Sequence, residues 1–156
     1  MTHSWSNATT GLIDIEDLGV YSNQTIKTVP ARISKIELVG DDILSITLRT
    51  PPSNSLEFLP GQYINLIYEN IRRSYSIANS MRSDGTIDLL IKRLHEGELS
   101  DCLFGSAKLD DLLRIEGPFG TFGWRKGLPD KVIVLATGTG IAPIISLIES
   151  GSFDGK

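Results

Sequence analysis

The chain has 156 residues, of which 40% are hydrophobic and 22% charged, and its formal net charge is −4. That suits one good-sized domain, or one domain plus part of a second, and the acid excess argues against general nucleic-acid binding, which relies on neutralising phosphates. Cys102 is the single cysteine, so an internal disulfide and four-cysteine zinc or iron–sulfur sites are excluded, and a reducing cytoplasm is the expected setting.

Residues 1–28 read as a polar leader or linker with one mixed patch, Leu12–Leu18. The start lacks the basic-then-apolar pattern of a signal peptide. No apolar run approaches the roughly 20 residues needed to cross a bilayer, so no membrane is expected as a partner. Without a secretory signal, the glycosylation patterns at Asn7 and Asn23 read as chance.

After Pro30 come short segments of alternating polarity, read as six strands over Arg32–Val39, Ile43–Arg49, Gln62–Tyr68, Ser74–Ala78, Thr86–Lys92 and Leu112–Glu116. Turn signals at Gly40-Asp41-Asp42, Pro51-Pro52, Pro60-Gly61, Asn70, Asp84-Gly85 and Gly117-Pro118 divide them. Such spacing predicts a closed antiparallel barrel more than a sandwich. Ser100 to about Phe104 reads as one short helix.

The texture changes after Gly127-Leu128-Pro129-Asp130. Lys131–Ala136 is a continuous apolar run of the kind found in buried parallel strands. A glycine loop and a helical pattern over Ile141–Glu149 follow, as at the start of a nucleotide-binding β-loop-α unit. Thirteen residues follow Pro143 (156 − 143), so this α/β unit is expected to be incomplete.

Three motifs carry chemistry. In Arg72-Arg73-Ser74-Tyr75-Ser76-Ile77-Ala78-Asn79, strand alternation puts Arg73 and Tyr75 on one face and Ser74 and Ser76 on the other. A guanidinium can hold a phosphate through paired bonds and a phenol ring can lie on a planar ring system, although a surface arginine beside a core tyrosine would read the same. Gly97-Glu98-Leu99-Ser100 offers close backbone approach and a helix start, where phosphates bind readily; an ordinary N-cap is the plainer alternative. Gly138-Thr139-Gly140 follows an apolar run, but Pro143 stands where a dinucleotide-binding turn carries its third glycine or alanine, so the motif is not the ordinary NAD fingerprint. Gly117–Phe122 reads equally as a hinge or as a turn with a hydrophobic plug. Cys102 reads as a small buried apolar residue. His95 and His3 have no partner spacing that suggests catalysis.

Taken in order, Arg73-x-Tyr75-Ser76, Gly97-x-x-Ser100 and Gly138-Thr139-Gly140-x-Ala142-Pro143 resemble the ferredoxin–NADP reductase family of flavoenzymes, over roughly residues 30–150. Within it, the Arg72–Asn79 segment is similar to bacterial reductases of ring-hydroxylating oxygenases and of CDP-dideoxyhexose biosynthesis. The resemblance implies an all-β, six-stranded antiparallel Greek-key barrel binding FAD over about residues 29–127. The start of an NADPH- or NADH-binding α/β domain would then occupy residues 128–156. Carried over by position, Arg73 would bind the flavin pyrophosphate with Ser74 beside it. Tyr75, stacking on the isoalloxazine, and Ser76, bonding near N5, would be the residues closest to catalysis. Because strict alternation turns Ser76 away from Tyr75, that role needs local twist or a backbone contact.

By the same resemblance Leu90, Ile91 and Lys92 would line the ribose and adenine side. Gly97, Glu98, Leu99 and Ser100 would cap the pyrophosphate, which favours FAD over FMN. Thr137, Gly138, Thr139 and Gly140 would receive the nicotinamide dinucleotide. The implied activity is hydride transfer from NAD(P)H to flavin, then electron transfer to an iron–sulfur or haem protein on another chain. The leader has no cysteine for a [2Fe–2S] domain of its own. A non-catalytic flavin-binding module or gene remnant, and a small-ligand barrel without flavin, stand as the other expectations.

Overall fold

The computed structural model describes residue 21, residues 23–124 and residues 131–154. The leader patch, His3, Asn7 and the Gly127–Asp130 turn lie outside the described residues. Six strands form one antiparallel sheet: β1 (Lys27–Gly40), β2 (Ile43–Arg49), β3 (Tyr63–Tyr68), β4 (Ile71–Ser76), β5 (Thr86–Lys92) and β6 (Leu112–Phe119). Their order is β4-β3-β6-β1-β2-β5, a Greek-key arrangement in which the hairpins β1–β2 and β3–β4 are joined through β6. The sheet curls until its two edge strands meet, at the bridge between Ile77 and Leu89.

Period-two burial drives this closure. Val29, Ala31 and Ile33 of β1, Leu44, Ile46 and Leu48 of β2, and Ile87, Leu89 and Ile91 of β5 all point inward and are buried. Ile64 and Leu66 of β3 with Leu113 and Ile115 of β6 complete one continuous core. β2 and β5 fall on the residues read from the sequence, whereas β1 begins at Lys27 and runs through Pro30. Proline is tolerated there because Pro30 pairs only with Arg114 of β6, while the pairing of β1 with β2 starts at Arg32.

Two helices accompany the barrel, α1 (Glu98–Gly105) and α2 (Ala142–Glu149). α1 starts two residues earlier than expected and buries Leu99 and Leu103, one turn apart, against the core. α2 follows a short 3-10 turn over Gly138–Ile141, with Pro143 in its first turn as expected.

The expectation of a buried parallel strand at Lys131–Ala136 is not met. No strand forms there, and Ile133 and Leu135 are 88% and 90% exposed. A parallel strand is buried by neighbours on both sides of it, and among the described residues no strand lies beside this segment. Cys102 is half-buried, with its thiol 3.4 Å from Glu69 Oε2, so it is less enclosed than its composition class suggests.

Tyr68 ties β3 to the loop before β6. Its hydroxyl donates to Asp111 Oδ2 at 2.8 Å. Burial, then the bond to Asp111, pushes the phenol up to about 12. The Lys108 backbone N–H, then the Tyr68 hydroxyl, holds the Asp111 carboxyl below its ordinary value. The raised phenol contributes stability that is complete below its unfolded value of about 10 and lost as pH climbs from there towards 12. The lowered carboxyl contributes stability present above about pH 4 and lost as pH falls further. Tyr68→Phe is therefore expected to lower stability by about 1 kcal/mol at neutral pH and to flatten both limbs of the pH profile. Urea midpoints at pH 3, 7 and 11 check this, and parallel profiles for the two proteins would refute it.

Candidate functional site

β4 and β5 are the two edges of the curled sheet, and they are bonded to each other only where Ile77 meets Leu89. Ala78 N donates to Asp88 O beside that bridge, at 2.7 Å. Continued in the other direction, this register would set Tyr75 against Ile91 and Arg73 against Arg93. No ladder forms there, so a seam stays open with unused strand-edge groups on both sides.

The hairpin before the seam sets which residues face it. Tyr68 pairs with Ile71 across the two-residue turn Glu69-Asn70, both with positive φ (46° and 71°). That is the hairpin geometry that matches strand twist. It starts β4 three residues earlier than the sequence reading did, and places both Arg72 and Arg73 within the strand. The register then puts Arg73 opposite Leu66 and Tyr75 opposite Ile64, on the core-facing side.

On the other face, Arg72 is ion-paired with Glu116. Asn65 Nδ2 donates to Glu116 at 3.0 Å, and the Ser74 hydroxyl donates to Asn65 Oδ1 at 2.7 Å. The split of Arg73 and Tyr75 from Ser74 thus follows the alternation, and the Ser74 side chain is engaged away from the seam.

Arg73 Nη2 lies 3.4 Å from Glu98 Oε2 at the start of α1, while Nη1 donates to the Arg72 carbonyl at 2.8 Å. Tyr75 is half-buried, and burial raises its phenol above the ordinary value against the smaller opposing pull of Arg73. Ser76 pairs with Tyr63, and its hydroxyl has no hydrogen-bond partner among the described residues.

α1 presents its N-terminus to this seam. Its N-cap is Gly97, which has no side chain to cap it. The amides of Glu98, Leu99 and Ser100 have no backbone partner among the described residues. A Cβ at Gly97 would lie 2.5 Å from Ser100 Oγ and 2.9 Å from Leu94 Cβ, so the close approach there requires glycine. Ser100 does not reach outward. Its buried hydroxyl donates to Gly97 O at 2.9 Å and accepts from Leu94 N at 3.1 Å, fixing the loop. Leu99 also turns inward, so from these two residues only main-chain atoms face the seam. Arg93 straps the helix down, 3.0 Å from Asp101 and over the Phe104 ring.

On the β5 side the expected trio divides. Ile91 is fully enclosed in the core and offers only backbone. Leu90 is half-buried, and Lys92 is exposed and paired with Asp42 at 3.3 Å. Thr137, Gly138 and Gly140 are exposed, Thr139 is half-buried, and Gly138 has φ 55° with open space where a Cβ would stand.

The glycine loop is held against the barrel by a brace that sequence reading missed. The Ser146 hydroxyl, buried on α2, donates to Asn79 O at 2.7 Å and accepts from Gly61 N at 3.4 Å. Arg82 bonds Glu149 of α2 at 3.1 Å and Asp88 of β5 at 2.7 Å. Asn79 sat inside the most informative stretch, but nothing in its spacing pointed to a partner 67 positions away. Gly117–Phe119 belong to β6 and do not form a turn; Phe119 stacks on Tyr63 of β3 at 5.5 Å, while Phe122 is exposed. His95 is almost fully exposed beside Glu96. Among the described residues no helix is long and apolar enough to cross a membrane, and no acid, His and Cys cluster is arranged to hold a metal.

The seam thus combines an exposed guanidinium, helix-start amides with no backbone partner among the described residues and a half-buried phenol, groups suited to a diphosphate attached to an aromatic ring. Comparison with known proteins agrees. The family described as oxidoreductase FAD-binding domain matches residues 30–124. The chain is 46% identical over 128 residues to Protein RfbI of Salmonella typhimurium, covering 82% of this chain and 38% of that protein. It is also 46% identical over 125 residues to the CDP-6-deoxy-L-threo-D-glycero-4-hexulose-3-dehydrase reductase of Yersinia pseudotuberculosis, covering 80% and 37%. Among solved structures, the FAD-free form of the ferredoxin reductase in carbazole 1,9a-dioxygenase superposes with a TM-score of 0.71 at 30% identity, covering 85% of this chain and 43% of that one. The chain spans less than two fifths of the length of the two curated relatives.

Proposed function

The chain belongs to the oxidoreductase FAD-binding domain family, and we propose that it forms the flavin half of a reductase that takes hydride from NADPH or NADH and hands electrons to an iron–sulfur or haem partner. The observation that carries this reading is the open β4–β5 seam, where Arg73 and the unbonded N-terminus of α1 converge. In this reading the flavin-binding part starts with β1 at Lys27 and runs to about residue 127, and residues 128–156 begin the donor-binding part. The family is enzymatic: the Yersinia relative and the matched solved structure are both named reductases.

FAD, when bound, supplies the chemistry: it accepts a hydride and gives up electrons one at a time. The chain supplies geometry and electrostatics. Arg73 offers charge-assisted bonds to the diphosphate, and the amides of Glu98, Leu99 and Ser100 add donors at the positive end of α1. Gly97 lets the loop pack closely on Leu94 and Ser100 beneath these amides. Tyr75 gives a ring face, its raised phenol remaining neutral at ordinary pH. The Ser76 hydroxyl, which has no hydrogen-bond partner among the described residues, is available to bond the flavin edge. Leu90, the backbone of Ile91 and Lys92 line the nucleoside side, while Ser74 supports β4 through Asn65. Thr137, Gly138, Thr139 and Gly140 receive the nicotinamide nucleotide, held in place by the Ser146 and Arg82 brace. The iron–sulfur part of the reading is supported by the carbazole dioxygenase reductase likeness, whose name joins it to ferredoxin.

Titration with FAD tests the reading. A yellow complex with quenched flavin fluorescence is expected, and free, undiminished emission would sink it. Anaerobic addition of NADPH or NADH to the saturated complex then tests the donor half. Bleaching supports the reductase, and its absence at saturating nucleotide would leave a flavin-binding module in its place.

A further inference from the structure

This inference rests on the FAD reading above and concerns the charge balance of the same seam. Glu98 is the first residue of α1, and its carboxylate makes one ion pair among the described residues, the 3.4 Å contact with Arg73 across the seam. The neighbouring acid on α1, Asp101, is committed to Arg93 at 3.0 Å, and Glu116 is paired with Arg72 on the opposite face of β4. Two favourable terms hold the Glu98 carboxylate where it is, the guanidinium and the positive end of the helix. Both are groups assigned above to the diphosphate. Nη1 of Arg73 is already bonded to the Arg72 carbonyl, so Nη2 is the terminal nitrogen that a carboxylate and a phosphate would contest.

We infer that Glu98 is a built-in competitor for the flavin diphosphate, a carboxylate that occupies Arg73 until FAD displaces it and that then repels the bound diphosphate. The competition is unequal. The side chains of Arg73 and Glu98 are 55% and 70% exposed, and pairs of that exposure are weak and easily exchanged. A diphosphate carries more charge than one carboxylate and is held by the amides of α1 as well. Glu98 therefore does not prevent binding; it lowers affinity and hastens release, giving the chain a loosely held flavin.

The test is Glu98→Gln, which keeps size and polarity but removes the charge. Fluorescence titration with FAD at low salt is expected to show a Kd lower by about threefold to tenfold, with most of the change in the dissociation rate. The gain should shrink in about 1 M salt, where screening acts within about 3 Å. It should also be smaller when Arg73→Ala is already present, because the competition runs through Arg73. An unchanged or higher Kd for Glu98→Gln, or an equal gain with and without Arg73, would overturn the competitor role. Thermal melting without FAD confirms that the variant is folded. If neither wild type nor variant quenches FAD emission, the flavin reading itself fails and the competitor role falls with it. Tight wild-type binding with an unmoved variant refutes the competitor role alone.

Discussion

Ile77→Ala is expected to destabilise the barrel by about 2–5 kcal/mol, the scale for deleting a fully buried isoleucine with partial collapse of its site. Ile77 is completely enclosed and forms the bridge to Leu89, itself completely enclosed, at the point where the two sheet edges meet. Its amide also donates to Gln62 O at 3.0 Å. Alanine keeps the backbone bonds, so the loss reports side-chain packing at the closure rather than ladder bonds. Ile77→Val should cost only about 0.5–1.5 kcal/mol. Because the closure fixes how far apart Tyr75 and the β5 edge stand, the alanine variant should also bind FAD more weakly than the valine variant does. Urea unfolding of the three proteins, followed by FAD titration of each, is the measurement. An alanine variant within about 0.5 kcal/mol of wild type, the size of an ordinary surface effect, would mean that the seam is not held by the core.

The contrast between Ile77 and its neighbours shows what a linear reading can reach. Alternation gave the bounds of β2 and β5 to the residue, because both strands bury every second position and leave the others half-buried or exposed. It also separated Arg73 and Tyr75 from Ser74. β4 was placed late because its turn, Glu69-Asn70, adopts positive φ without the Asn-Gly or Asp-Gly pair that usually announces it. β1 was cut short at Pro30 because a proline's cost depends on which side of the strand is paired, and that is a property of the sheet. Lys131–Ala136 reads as a buried strand from its apolar run, yet an apolar run specifies only a preference for burial; neighbouring strands must supply it.

Within the site the limit is sequence separation. Gly97 was read as a place where a ligand could approach the backbone, whereas a Cβ there would meet Leu94 and Ser100 of the chain itself, and the inward turn of Ser100 depends on the loop from Leu94 to Gly97 folding under it. The Arg73–Glu98 pair spans 25 positions and the Asn79–Ser146 bond spans 67. Both exist only because the curled sheet brings β4 beside α1 and the β4–β5 junction beside α2. A motif match names the residues that a family uses, whereas the supporting contacts come from closure of the barrel.

Arg73→Ala is the second large effect, and it discriminates between the two faces of β4. Removing the guanidinium deletes charge-assisted bonds to the diphosphate, worth about 1.5–3 kcal/mol, so FAD should bind roughly 10- to 150-fold more weakly. Arg73→Lys keeps the charge but loses the planar fork, and should recover part of the affinity. Arg72→Ala is the internal control. Arg72 is one residue away and carries the same charge, but it is paired with Glu116 on the opposite face. Through-space attraction alone would make the two arginines nearly equivalent at low salt and both weak at high salt. Directed bonding makes Arg73 dominant at every ionic strength, with Arg72→Ala altering stability more than flavin affinity. Equal losses for the two alanine variants would reduce Arg73 to a general contribution to positive potential. An unchanged affinity for Arg73→Ala would remove it from the diphosphate altogether, and with it the reason for Glu98 to face it.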